Sequence, residues 1–168
     1  MQTETDGNLV KLLVHGVLRD PNTETQIVIL KDEQQQETLP IWVGLAEGDA
    51  ISHAMSQTPT PRPMTHDLIR SFTEHLGVTV NRVVVTDVKA NTYFATIYMT
   101  AKGAERTVDA RPSDAIALAL RTQSPIFVAK PVLQARGGGQ LEAWLEKFGV
   151  KQPRASDAES EQTPDIEA

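Results

Sequence analysis

The sequence predicts an α+β fold. A unit of three antiparallel strands and a helix is used twice around one core, closing towards a barrel, with an amphipathic helix near the C-terminus. Three observations lead there. Both halves read strand, turn, strand, loop, strand, turn, helix. Asn22-Thr23 ahead of one strand corresponds to Asn91-Thr92 ahead of another. Leu39–Gly44 matches Ala104–Asp109, and Asp49-Ala50-Ile51 matches Asp114-Ala115-Ile116, both at an offset of 65 residues. A supersecondary unit used twice usually buries its apolar face against its own copy.

The elements follow in order. Val10–Val17 is a Val- and Leu-rich strand, with Gly16 marking a bulge or a close backbone approach. Arg19–Thr23 carries turn chemistry and leads into the strand Gln26–Lys31. After the polar loop Asp32–Thr38, Leu39–Gly44 is a third strand, with Pro40 near its start and Trp42 expected in the core. Ala46–Gln57 reads as a helix with Ile51, Ala54 and Met55 on its apolar face, and Asp49 and His53 together on the other. Gly48 weakens that helix by about 1 kcal/mol or permits a close approach to its start. Thr58–Met64 holds three prolines and is a rigid loop.

Thr65 is placed to cap a helix from His66 to Leu76, with Leu68, Ile69, Phe72 and Leu76 on its apolar face and Gly77 ending it. Val78–Val88 is a long β-branched strand with a bulge expected at Asn81-Arg82. A turn at Lys89–Thr92, the strand Tyr93–Thr100, a hairpin turn at Lys102–Glu105 and Arg106–Asp109 complete the second meander. Pro112 disfavours the α region at Arg111, so the extended segment should run through Arg111, with Ser113 as helix cap and Asp114 in the first turn. The helix through Leu120 is apolar all round and therefore buried. Pro125–Ala129 is a short buried strand, Arg136–Gly139 a loop, and Leu141–Phe148 an amphipathic helix carrying Trp144. The organisation is a flexible N-terminus at 1–8, one domain at 9–150 and a disordered acidic tail at 151–168.

Composition narrows the function classes. With 168 residues, 40% hydrophobic and 23% charged, the chain is globular. It has no apolar run of membrane-spanning length and no signal-peptide pattern. Cysteine is absent, which excludes disulfides, thiolate zinc sites and cysteine nucleophiles and points to the cytoplasm. The net charge of −6 is split evenly between residues 1–150 and the tail. A mildly acidic domain does not hold nucleic acid by bulk charge, but it suits an enzyme in which cations bridge carboxylates and phosphate.

Three blocks concentrate the chemistry. They are Leu39–Gly44 with Glu47, Pro61–Leu68, and Val108–Arg121. In these residues and in this order the chain resembles the bifunctional nuclease family, over Leu9–Leu133. The resemblance implies a compact α+β domain that cuts both RNA and DNA. One departure is Gly48-Asp49 after Glu47, where the family favours alanine.

Phosphodiester cleavage needs charge stabilisation at phosphorus, a nucleophile and a protonated leaving group. Divalent cations such as Mg²⁺ or Mn²⁺, held by Glu47, Asp67 and Asp109, could supply the first two. The catalytic candidates are His66, Asp67, Asp109 and Asp114; Arg62, Arg111 and Ser113 are the substrate-binding candidates. His53 is a weaker candidate imidazole, and His15 and His75 are incidental. A purely structural role is open for each: helix-start acids for Glu47, Asp67 and Asp114, ion pairs for the arginines, a backbone bond for His66. Nucleic acid is the expected partner, together with a homo-oligomer and no membrane. Non-catalytic anion binding at the helix starts, or an oligomeric scaffold, are the other readings.

Overall fold

A computed structural model describes residues 6–137 and 140–147. The first five residues, Gly138-Gly139 and the predicted acidic tail lie outside the described residues, as does the Trp144 side chain. By its internal contacts the chain divides into a unit at Met1–Gly138 and a second at Gly139–Ala168. In the second unit, Gln140–Lys147 is a helix, α5.

In the first unit a 3-10 turn at Asp6–Asn8 precedes strands β1 (Leu9–Arg19), β2 (Thr25–Lys31) and β3 (Thr38–Gly44) and helices α1 (Leu45–Ser56) and α2 (Thr65–His75). Strands β4 (Val78–Lys89), β5 (Thr92–Ala101) and β6 (Ala104–Ala110) follow, then α3 (Pro112–Thr122), β7 (Ile126–Ala129) and α4 (Lys130–Arg136). One sheet carries all seven strands in the order β3-β2-β1-β7-β4-β5-β6. Both meanders are antiparallel throughout. Strand β7 lies between them, antiparallel to β1 and parallel to β4. The meanders therefore run outward from β7 in opposite directions, related by a two-fold normal to the sheet.

The duplication holds to within two residues of the predicted offset. The ends of β3 and β6 differ by 66, and the helix N-caps Gly44 and Arg111 by 67. Ile51 and Ile116, at offset 65, are both fully buried, and α1 packs against α3.

The barrel does not close. Strands β3 and β6 are opposite edges of an open sheet, because β7 enters at the centre and leaves the outer edges unjoined. The core forms instead between one sheet face and the helices. Val28, Leu30, Ile41, Val83 and Val85 meet Ile51, Ile116 and Val132 there. Strand alternation supplies that face. The bulges expected at Gly16 and at Asn81-Arg82 are present as register shifts between Val14 and Gly16 and between Val80 and Arg82. Gly77, at φ +64°, ends α2 as expected.

Two expectations about packing fail. Trp42 lies between buried Ile41 and Val43, so the period of two puts it on the opposite sheet face, 39% exposed. The apolar face of α2 is not in the core either: Leu68, Ile69, Phe72 and Leu76 are all exposed.

Candidate functional site

The site is assembled where α1, α2 and α3 begin. Pro112 holds Arg111 extended, at φ −68° and ψ 144°, and occupies the first helical position itself. The helix bonds start with the Ala115 N–H donating to the Arg111 carbonyl. Arg111 is thus the N-cap, and Ser113 is the second helical residue, 6% exposed, rather than the cap. Helix α2 shows a similar shift. Its N-cap is Met64, not Thr65, because the third helical residue, Asp67, reaches back to accept the Met64 N–H at 2.8 Å.

Arg111 then lies between two third-position carboxylates from the duplicated helices. Its Nε donates to Asp114 Oδ2 at 2.8 Å and a terminal nitrogen to Glu47 Oε1 at 3.0 Å. The other oxygen of Asp114 accepts from His66 Nε2 at 2.9 Å, the polarity an ionised carboxylate requires. Glu47, Arg111, Asp114 and His66 therefore form one chain linking α1, α3 and α2. His66 is the buried residue of α2. Burial opposes the charge on Asp114, but the hydrogen bonds from Arg111 and His66 outweigh it and hold the carboxyl below the usual range. Asp114, then Glu47, make the Arg111 guanidinium harder to deprotonate.

A second pair stands beside the first. Arg121 Nε donates to Asp67 Oδ1 at 2.7 Å, and its terminal nitrogen to the Ala117 carbonyl at 2.9 Å. The Arg121 side chain is only 6% exposed. The Met64 N–H first, and then Arg121, overcome desolvation and keep the Asp67 carboxyl below the usual range.

Asp67 borders two adjoining clefts. One, about 290 Å³, runs from the end of α1 to α3 and is lined by His53, Gln57, Thr60, Arg70 and Arg121. The other, about 420 Å³, adds Arg62, Ser71 and Glu74. His53 Nδ1 is buried at the first cleft with no hydrogen-bond partner among the described residues.

Of the residues singled out from sequence, the structure brings together Glu47, Arg111, Asp114 and His66 in one network, and Asp67 and Arg62 at the clefts. Asp109 joins neither. It is exposed on the edge strand β6, opposite Thr96, and alternates away from Ala110, which packs on the core. Among the described residues no three His, Asp or Glu side chains converge as a metal site. Glu47, Asp67 and Asp109 thus do not fit a shared Mg²⁺ or Mn²⁺ ion. Sequence reasoning missed Arg121 and Arg70 and underweighted His53. Arg121 closes the most distinctive motif, and that was its one signal.

The expected match of Asp49-Ala50-Ile51 to Asp114-Ala115-Ile116 is out of register by two residues: counted from the helix N-caps, Glu47 is the counterpart of Asp114, and Asp49 lies two residues further along α1. Its carboxylate accepts from Gln26 Nε2 at 2.8 Å, and Gln26 also donates to the Leu45 carbonyl. Gly48 makes room for that amide, since a Cβ there would collide with it.

An open sheet of two meanders, with charged networks at its helix starts, defines a duplicated α+β domain with a polar cleft. The profile of the bifunctional nuclease domain matches residues 28–138, and the chain belongs to that family. An uncharacterized protein of Mycobacterium tuberculosis is 34% identical over 124 residues, 74% of either chain. Bifunctional nuclease 2 of Arabidopsis thaliana is 30% identical over 125 residues, covering 73% of this chain and 38% of the relative. Bifunctional nuclease 1 of Oryza sativa subsp. japonica is 28% identical over 123 residues, 71% and 37%. The chain thus spans well under half of these two plant relatives. Among the described residues no helix is long and apolar enough to cross a membrane.

Proposed function

We propose that the chain hydrolyses phosphodiester bonds of RNA or DNA in the clefts beside Asp67. The observation that supports this most is that His53, Asp67, Arg70 and Arg121 line one cleft, while Arg62 lines the adjoining cleft with Asp67 and with Arg70, which is itself paired with Glu74. Arg62 and Arg70 neutralise phosphate oxygens as the backbone lies along the clefts. Asp67, kept ionised by the Met64 N–H and Arg121, orients the attacking water. As the P–O bond to the leaving group breaks, protonated His53 donates a proton to the departing oxygen, and the proton of the attacking water passes to Asp67. His66 and Asp114 are positioning residues that fix the start of α2 and so place Asp67. Glu47, Asp67 and Asp109 form no shared ligand set among the described residues, and the Mg²⁺, Mn²⁺ and EDTA arms of the assay decide whether cleavage needs a divalent cation. The cytoplasm is kept as the compartment on the cysteine-free composition.

The test is cleavage of single- and double-stranded RNA and DNA by the purified chain, with Mg²⁺, Mn²⁺ and EDTA arms. Arg70→Ala and His53→Ala should each lose at least tenfold in rate while remaining folded. Undiminished cleavage by both would assign the activity to a contaminant. A non-catalytic reading, in which the same clefts hold a small anion, is favoured by one observation. Glu47, Asp67 and Asp114 are each already engaged by a guanidinium. Phosphate binding without cleavage would establish it.

A further inference from the structure

Helix α2 has eleven residues, of which His66 alone is buried. Leu68, Ile69, Phe72 and the capping Leu76 are 53%, 39%, 60% and 71% exposed. At the helical repeat these four fall within an arc of about 100°. Thr65 falls within the arc and Ser71, Thr73 and His75 border it, so no carboxylate, lysine or arginine of α2 does. Asp67, Arg70 and Glu74 occupy the opposite side, at the clefts.

We propose that a second copy of this chain covers the stripe, with the two α2 helices antiparallel about a two-fold near Phe72. A two-fold contact requires a patch complementary to itself. A straight stripe of branched and aromatic side chains satisfies that, with Leu68 set against Leu76 of the partner subunit. The area is sufficient. At the stated exposures the four side chains offer roughly 400–500 Å² per protomer, and with the bordering small residues two copies reach the roughly 1,000 Å² that a specific interface needs. Charge selects the occupant. A membrane surface or nucleic acid calls for a basic rim, whereas α2 brings no lysine or arginine to the edge of the stripe and the chain carries −6 overall. The charged side of α2 stays open in the dimer, so the clefts remain accessible. An eleven-residue helix is marginal on its own, and the second copy would steady the element that carries His66 and Asp67.

Sedimentation of the full chain between about 1 and 100 µM tests the proposal. The wild type should be a dimer in the upper part of that range, and Phe72→Glu should weaken association at least a hundredfold. A wild type monomeric at 100 µM overturns it, as does a Phe72→Glu chain that still dimerises. Because the sequence contains no cysteine, single-cysteine variants give a second readout. Under mild oxidant Phe72→Cys should cross-link rapidly, and Glu74→Cys, on the opposite side, should not. Equal cross-linking of the two, or none by Phe72→Cys, also overturns it.

Discussion

Asp67→Asn isolates the pair at the clefts. The amide keeps the size of the side chain and can still accept the Met64 N–H. It removes the charge that faces Arg121, whose side chain is 6% exposed. A hydrogen bond to a charged group contributes about 1.5–3 kcal/mol net. Asp67 is itself 38% exposed, so solvent screening reduces that to about 1–2 kcal/mol. For a domain of this size the melting temperature should fall by about 3–6 °C. The pH dependence gives the sharper check. The folded carboxyl lies below the usual aspartate range. Its contribution is therefore complete above the unfolded pKa and is lost as pH falls through the folded one. The gap between wild type and Asp67→Asn should be constant from pH 7 to pH 5 and close below about pH 4. Thermal melts followed by circular dichroism at pH 7, 5, 4 and 3 measure it. A gap that persists unchanged at pH 3 refutes the ionic account. So does an additive double variant with Arg121→Met, since paired groups must couple.

Other outcomes follow from the same geometry. Ile116→Ala, at a fully buried site, should cost about 2–5 kcal/mol in denaturant melts. Gly48→Ala should destabilise despite alanine's better helix propensity, because its Cβ meets Gln26; a raised melting temperature would contradict this. Asp109→Asn should change neither stability nor cleavage by more than twofold, and a tenfold loss of cleavage would return that carboxylate to the site.

Most of the element order was legible because β-branched runs, prolines and glycines punctuate this chain clearly. Gly77, Gly16 and the Asn81-Arg82 bulge behave as their residue types dictate. The misplacements have specific causes. Hydrophobicity alone places Trp42 in the core, whereas its neighbours Ile41 and Val43 define the inward phase of β3. Ser113 has cap chemistry, but Pro112 is pre-organised for the first helical position and moves the cap to Arg111. The Leu68–Leu76 stripe shows that a face needs burial, and periodicity cannot say against what. The partnership of Arg121 with Asp67 spans 54 residues. Such a pair depends on how α2 crosses α3, which neither segment encodes alone. The central place of β7 was hidden for the same reason: four residues declare a strand but not its neighbours.

That placement bears on how the chain reaches its native state. Leu9 at the start of β1 pairs with Ala129 at the end of β7, 120 residues later. During synthesis the first meander emerges with an inner edge whose partner does not yet exist. The second meander is in the same position, since β4 also awaits β7. Until β7 arrives, each half presents an unpaired edge to the other and to neighbouring chains. Closing so large a loop late makes for slow folding. A chain cut before Pro125 keeps both meanders and every charged contact of the site, yet lacks the strand that joins them. It should therefore aggregate rather than stay folded.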